Sequence, residues 1–225
     1  MDRLKSFVTE PTVTTEQKNQ PRRTIKSFHR FFASSNHAHF AQVDADDRRF
    51  VFLKVSSARQ GDLPYWEKVH AAVNNPSVIA AAVFDLLSID LSGFNVRQRP
   101  KTKAHLDQKL RSLSGFDRYW YEVLQTGGFF PGTTLEPITP WSDPKFEPTN
   151  STLQRGLEEY QRGQRQFAAP QQRDIHDGIK RLCPSAKPCR QKVGCAQARG
   201  YMLPSIATAR QEFDLAMGGA VTWED

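Results

Sequence analysis

The spacing of apolar residues changes once along this 225-residue chain, near residue 61, and that change limits what it can fold into. Before it, the short apolar and β-branched stretches "TVTTE", "RTIKSF", "FHRFFAS" and "RFVFLKV" read as strands, the last as a central one. The polar "QKNQPR" between the first two predicts a hairpin with Lys18 near its tip. After residue 61 the period is helical. Pro64 suits the first turn of a helix carrying Trp66, Val69 and Val73, and "NNP" at 74–76 ends it. Val78, Ile79, Ala82, Val83, Leu86 and Leu87 then form one stripe, with Gly93 of "DLSGF" as the expected stop. Thr102 is placed to cap a further helix with Leu106, Leu110 and Leu113 on one face. A few strands followed by many helices predict an α+β, mainly helical fold.

The stretch "GGFFPGTTLEPITPWSDPKFEPTN", residues 127–150, is dense in Gly and Pro yet holds Phe129, Phe130, Trp141 and Phe146, so an ordered connector is expected. Beyond it, one helical pattern carries Leu153, Leu157 and Tyr160 and a second carries Ile175, Ile179 and Leu182. The basic segment "KPCRQKVGCAQARGYML" follows. A closing helix after Pro204 has Ser205 as cap and turns Ile206, Ala209 and Phe213 inward. Four regions result: 1–60, rich in β-segments; 61–126, helical; 127–150, the connector; and 151–225, a small C-terminal domain.

Net charge is +7 and the sequence pI about 9.5, which favours a polyanionic partner. The charge is unevenly laid. Residues 154–199 hold ten Lys/Arg against four Asp/Glu, and residues 97–118 seven against two, whereas 119–150 are acidic, with one Lys against four acids. The basic balance therefore belongs to particular segments, as a nucleic-acid surface requires. The longest apolar run, "VIAAAVFDLL", is interrupted by Asp85 and too short to cross a bilayer, and no apolar leader opens the chain, so a cytoplasmic protein without membrane contact is expected. Cys183, Cys189 and Cys195 are odd in number and evenly spaced, which fits ordinary thiols better than a zinc site or a disulfide framework. His29, His37 and His39 cluster near "SSN", but His37 and His39 lack a carboxylate or cysteine at ligand spacing, so turn and surface roles are expected in place of a metal site.

Three motifs in one order, "SSN" at 34–36, "DDRRF" at 46–50 and "DLSGFN" at 90–95, carry a resemblance. The chain resembles the back half of the ATPase domain of phage and prophage primase-helicases. These belong to helicase superfamily three, a branch of the AAA+ ATPases that includes poxvirus and parvovirus helicases. The likeness covers most of the chain and is weakest over 127–170. It implies an AAA+-like short β segment plus helical bundle, then a winged-helix-like domain over 151–225. It also implies that Asn36 is the sensor amide and that Arg48 or Arg49 is the arginine finger, which reaches a neighbouring subunit's phosphates. The hairpin resembles a DNA-tracking loop, with Lys18 at its tip and Arg22 and Arg23 as phosphate contacts. Lys187, Arg190, Lys192 and Arg199 are the expected basic edge of the C-terminal module.

The departures matter as much as the likeness. A phosphate-cradling loop needs a Gly-Lys step, and none exists in these residues; the acidic magnesium strand and the primase half are missing too. ATP and Mg, the cofactors of the intact family, are thus not expected to bind this chain alone. The resemblance implies a truncated primase-helicase fragment that binds DNA and lacks ATPase activity of its own. Its implied partners are DNA and a full-length or N-terminal primase-helicase chain, in a family that forms rings. The alternatives are a non-enzymatic DNA-binding or replication-interfering protein and a decayed prophage remnant. Segments 28–34 and 49–55 should expose apolar surface where neighbouring strands are missing.

Overall fold

Pro64 and Pro76 each sit in the first turn of a helix, where an absent N–H costs nothing, and the structure builds two helices on them. A computed structural model describes residues 6, 8–16, 18, 21–44, 47, 49–95, 98, 100–129, 139–141, 147–165 and 170–223. The elements in order are β1 (Thr12–Thr15), β2 (Arg23–Lys26), α1 (Leu63–Val73), α2 (Pro76–Leu87), α3 (Lys103–Ser112), α4 (Gly115–Thr126), β3 (Gly128–Phe129), β4 (Thr139–Pro140), α5 (Asn150–Gly163), α6 (Gln172–Leu182), β5 (Lys187–Val193), β6 (Ala196–Met202) and α7 (Ile206–Met217). Among the described residues the strands pair as antiparallel two-stranded ribbons, β1 with β2, β3 with β4 and β5 with β6. The fold is α+β and mainly helical. Among the described residues no helix is long and apolar enough to cross a membrane.

The caps follow from side-chain chemistry. Asp62, Asn75, Thr102, Thr149 and Ser205 each accept a hydrogen bond from a first-turn N–H, which satisfies a donor the helix cannot. The end of α2 differs from expectation. It stops at Leu87, not near Gly93, with the Ser88 N–H and hydroxyl both turned back to the Phe84 carbonyl, at 3.0 and 2.8 Å. Asp90 then accepts from the Ser92 N–H and hydroxyl at 2.8 and 2.9 Å, folding a turn before the glycine.

The core sits in the second half of the chain. On α4, Phe116, Tyr119, Trp120, Val123 and Leu124 recur at helical spacing and are all buried. They meet Leu153 and Leu157 of α5, Ile175 and Ile179 of α6, and Ala209 and Phe213 of α7. Gly178 lets α6 approach closely, since a Cβ there would overlap the Phe116 ring. Phe129 and Trp141 of the connector stack at 5.5 Å over this core, and the Trp141 indole N–H donates to the Pro204 carbonyl at 3.0 Å. Phe130 and Phe146 lie outside the described residues.

The first hundred residues are organised otherwise. Segments 28–34 and 49–55, expected to be strands, form no ladder. A strand needs a neighbour to satisfy its backbone groups, and the described chain brings none beside them. Phe28, Phe32, Leu53 and Val55 stand exposed. The total accessible surface is 16994 Å², whereas a compact monomer of this mass exposes roughly 10,000 Å².

Candidate nucleic-acid interface

β5 and β6 form a ribbon whose two-residue turn, Gly194-Cys195, is closed by the Val193–Ala196 pair. Gly194 has φ +61, the left-handed conformation such a tight turn requires. Residues opposite one another share a face, so Arg190 stands beside Arg199 and Lys192 beside Gln197. All three cations are exposed. Lys187, opposite Met202, belongs to the alternate face and is exposed as well. Like charges directly opposite on a ribbon cost stability, and no acid is ion-paired to Arg190 or Arg199 among the described residues.

Three contacts hold the ribbon to the body. Tyr201 is buried, and its Oη lies 2.7 Å from Nδ1 of His176 on α6. Burial, with the Asp177 carboxylate, raises the Tyr201 phenol above its ordinary pKa and keeps it protonated. Gly200 accommodates the crossing of residues 147–149: the Tyr201 N–H donates to the Pro148 carbonyl at 3.0 Å, and Gln191 Nε2 to the Glu147 carbonyl at 2.8 Å. α6 adds Lys180 on an exposed position, while Arg173 meets Asp177 at 3.4 Å and Arg181 is tied to Asp117. None of the three cysteines is in a disulfide; Cys183 is buried, Cys189 half-buried and Cys195 exposed.

The second expected DNA element, β1–β2, is also present. Lys18 lies exposed in its connecting turn, and Arg23 pairs with Thr15 at the ribbon's end. Arg22 is partly committed, since its Nε meets Glu16 Oε2 at 3.0 Å, an exposed ion pair of small worth.

Asn36 and Arg49, expected from the resemblance as sensor and as one of two candidate fingers, are not joined. Asn36 is exposed beside the turn in which the His37 N–H donates to Ser35 Oγ at 3.0 Å. Arg49 is half-buried, with its Nε enclosed and unpartnered. Arg48 lies outside the described residues. No hydrogen bond links Asn36 to Arg49 among the described residues.

What the residues between them do is dock on α3. Gln108 and Ser112, one turn apart, present side-chain hydrogen bonds to passing backbone: Phe40 N–H to Gln108 Oε1 at 3.1 Å, and Val43 N–H to Ser112 Oγ at 2.9 Å. The Thr102 hydroxyl donates to the Phe52 carbonyl at 2.6 Å. Asp47, the second acid of "DDRRF", is turned inward. Its carboxylate accepts from the Arg49 and Phe50 N–H groups, both at 3.3 Å, and lies 3.9 Å from His105 Nε2. Sequence reasoning also missed Lys109, buried with its ammonium on the Met217 carbonyl at 3.1 Å, where it faces the negative end of α7. A Lys on an otherwise polar helix face gives no signal of that role. His39 Nε2 is 3.2 Å from Ser112 Oγ and His29 Nδ1 is 3.0 Å from Ser27 Oγ.

Residues 1–49 match a family of unknown function (DUF5906), and this segment includes Lys18, Arg22, Arg23, Asn36, Arg48 and Arg49. No curated protein and no solved structure matches the chain.

Proposed function

We propose that this chain is a DNA-binding portion of a phage-type primase-helicase, engaging DNA through the β5–β6 ribbon and through Lys18 on the β1–β2 hairpin. The observation that carries the reading is the cross-strand Arg190–Arg199 pair with Lys192 beside it. That arrangement costs the free protein stability and is offset by an anionic partner. The order α5, α6, ribbon is that of a winged-helix module, with α6 as the groove-facing helix and the ribbon as its wing. At the other end, the hairpin, Asn36 and the arginine pair follow the order of the back half of an AAA+ site. With no Gly-Lys loop in its 225 residues, the chain hydrolyses no ATP alone and serves, at most, a site completed by a second chain. The apolar segments 28–34 and 49–55 favour such a partner, an N-terminal or full-length primase-helicase.

The test is salt-dependent binding to labelled single- and double-stranded DNA. Binding should weaken steeply with salt, and Arg190→Gln with Arg199→Gln should lower the log–log salt slope by about one per lost phosphate contact. Absence of binding at low salt, or an unchanged slope in the double variant, overturns the reading.

A further inference from the structure

We propose that residues 38–44 and 49–52, with Asp47, form a strap latched onto the polar face of α3, which opens as one unit and frees Arg49 while the core of the second half stays closed. The strap is separate from the DNA-binding ribbon, and its opening does not depend on what Arg49 meets once released. α3 has two faces. Leu106, Leu110 and Leu113 pack against the aromatic core, whereas Thr102 at the cap, His105, Gln108 and Ser112 recur every three or four residues on another face. Each member of this polar stripe grips the strap. The Gln108 carboxamide accepts the Phe40 N–H at 3.1 Å and donates to the Ala38 carbonyl at 2.5 Å, the pair of bonds a neighbouring strand would supply. Ser112 Oγ accepts the Val43 N–H at 2.9 Å. His105 Nε2 lies 3.9 Å from the Asp47 carboxylate, and the Thr102 hydroxyl reaches the Phe52 carbonyl at 2.6 Å.

Two features make this a latch and not a fixed seam. The strap forms no ladder among the described residues, and Ala41 and Val43, though buried, lie outside the aromatic core cluster. Its release therefore breaks side-chain bonds on α3 and exposes little apolar surface, which places it at the low-stability end of the molecule. The closed position also leaves Arg49 with an enclosed Nε that has no hydrogen-bond partner among the described residues. A guanidinium N–H shut away from water and unpaired is costly, and opening returns it to water or to an oxyanion on a partner. The closed strap holds Arg49 back; the open strap presents it.

Native-state hydrogen exchange of the full chain, without DNA, provides the test. The Phe40, Val43 and Phe50 amides should share one protection factor, about tenfold or more below that of the Val123 and Leu124 amides of α4. Gln108→Ala should speed all three by roughly tenfold, including Val43 and Phe50, whose own acceptors are untouched. Ser112→Ala should in turn speed Phe40, whose acceptor is Gln108. The α4 amides should keep their wild-type rates in both variants. Acceleration confined to the amide whose partner was removed would mean local fraying and overturns the proposal. So do strap amides without protection in the wild type, a strap that exchanges only together with α4, or α4 amides that accelerate in the variants. DNA binding is read separately, so failure of one inference does not mask the other.

Discussion

α2 and α4 are each twelve residues long and both carry apolar side chains at helical spacing, yet α4 buries five of them and α2 none. By composition α2 is the more apolar, with one charged residue against α4's three. The difference lies in what surrounds them. α4 is flanked by α5, α6 and α7, so every apolar side chain meets another, whereas α2 has α1 and little else. A stripe specifies that a helix wants burial; only the topology of the rest of the chain supplies the cover. The same contrast separates the two halves. Residues 103–223 enclose an aromatic core, and the first hundred residues hang on it through Gln108, Ser112 and Thr102 rather than through a core of their own.

The strongest way to break this comparison is to delete one large side chain from each helix. Trp120→Ala should cost about 3–5 kcal/mol, because the ring is fully buried between Phe116, Phe129 and Trp141. Leu87→Ala, at a position 81% exposed, should change stability by less than about 0.5 kcal/mol. Urea unfolding followed by tryptophan fluorescence measures both. Equal losses would mean that α2 has a core contact the fold lacks.

A finer probe adds atoms instead of removing them. Gly178→Ala places a methyl against the Phe116 ring, and overpacking of this kind costs about 1–3 kcal/mol. Gly93→Ala, where a Cβ meets nothing, should cost far less. Thermal melts of the pair would show that close approach is confined to the second half.

Helix positions and caps were legible because they are local: Thr102 and Ser205 each announce a helix within three residues, and Pro64 marks a first turn. The inward residues of α5, α6 and α7 were legible for the same reason, as was the β1–β2 hairpin. The strands at 28–34 and 49–55 were misread because β-branched and aromatic content reports a preference for a pleated surface, while a strand exists only through its neighbour. Of the candidate interface, the basic residues were visible in sequence. That Arg190 and Arg199 face one another, and that Lys187 does not share their face, depends on register, which the two-residue turn at Gly194 sets.

The smallest expected effect tests the enclosure of the second half through protons. Cys183 is fully buried at the end of α6, and burial, with Glu212 nearby, pushes its thiol up to about 12 from an ordinary value near 9. Above pH 9 the unfolded chain releases this proton while the folded chain keeps it, so the unfolded state binds fewer protons and stability falls as pH rises. The contribution is fully present below pH 9 and lost as pH climbs from there towards 12, at about 1.4 kcal/mol per unit at most. By pH 10 the loss is about 1.4 kcal/mol. Measured between pH 8 and pH 10, the wild type should lose that much more stability than Cys183→Ala, which has no proton to release. The exposed Cys195 in the same chain should react with a thiol reagent under native conditions while Cys183 stays protected. A Cys183 that reacts as fast as Cys195, or identical pH slopes in the two proteins, would show that the second half opens to solvent as readily as the first.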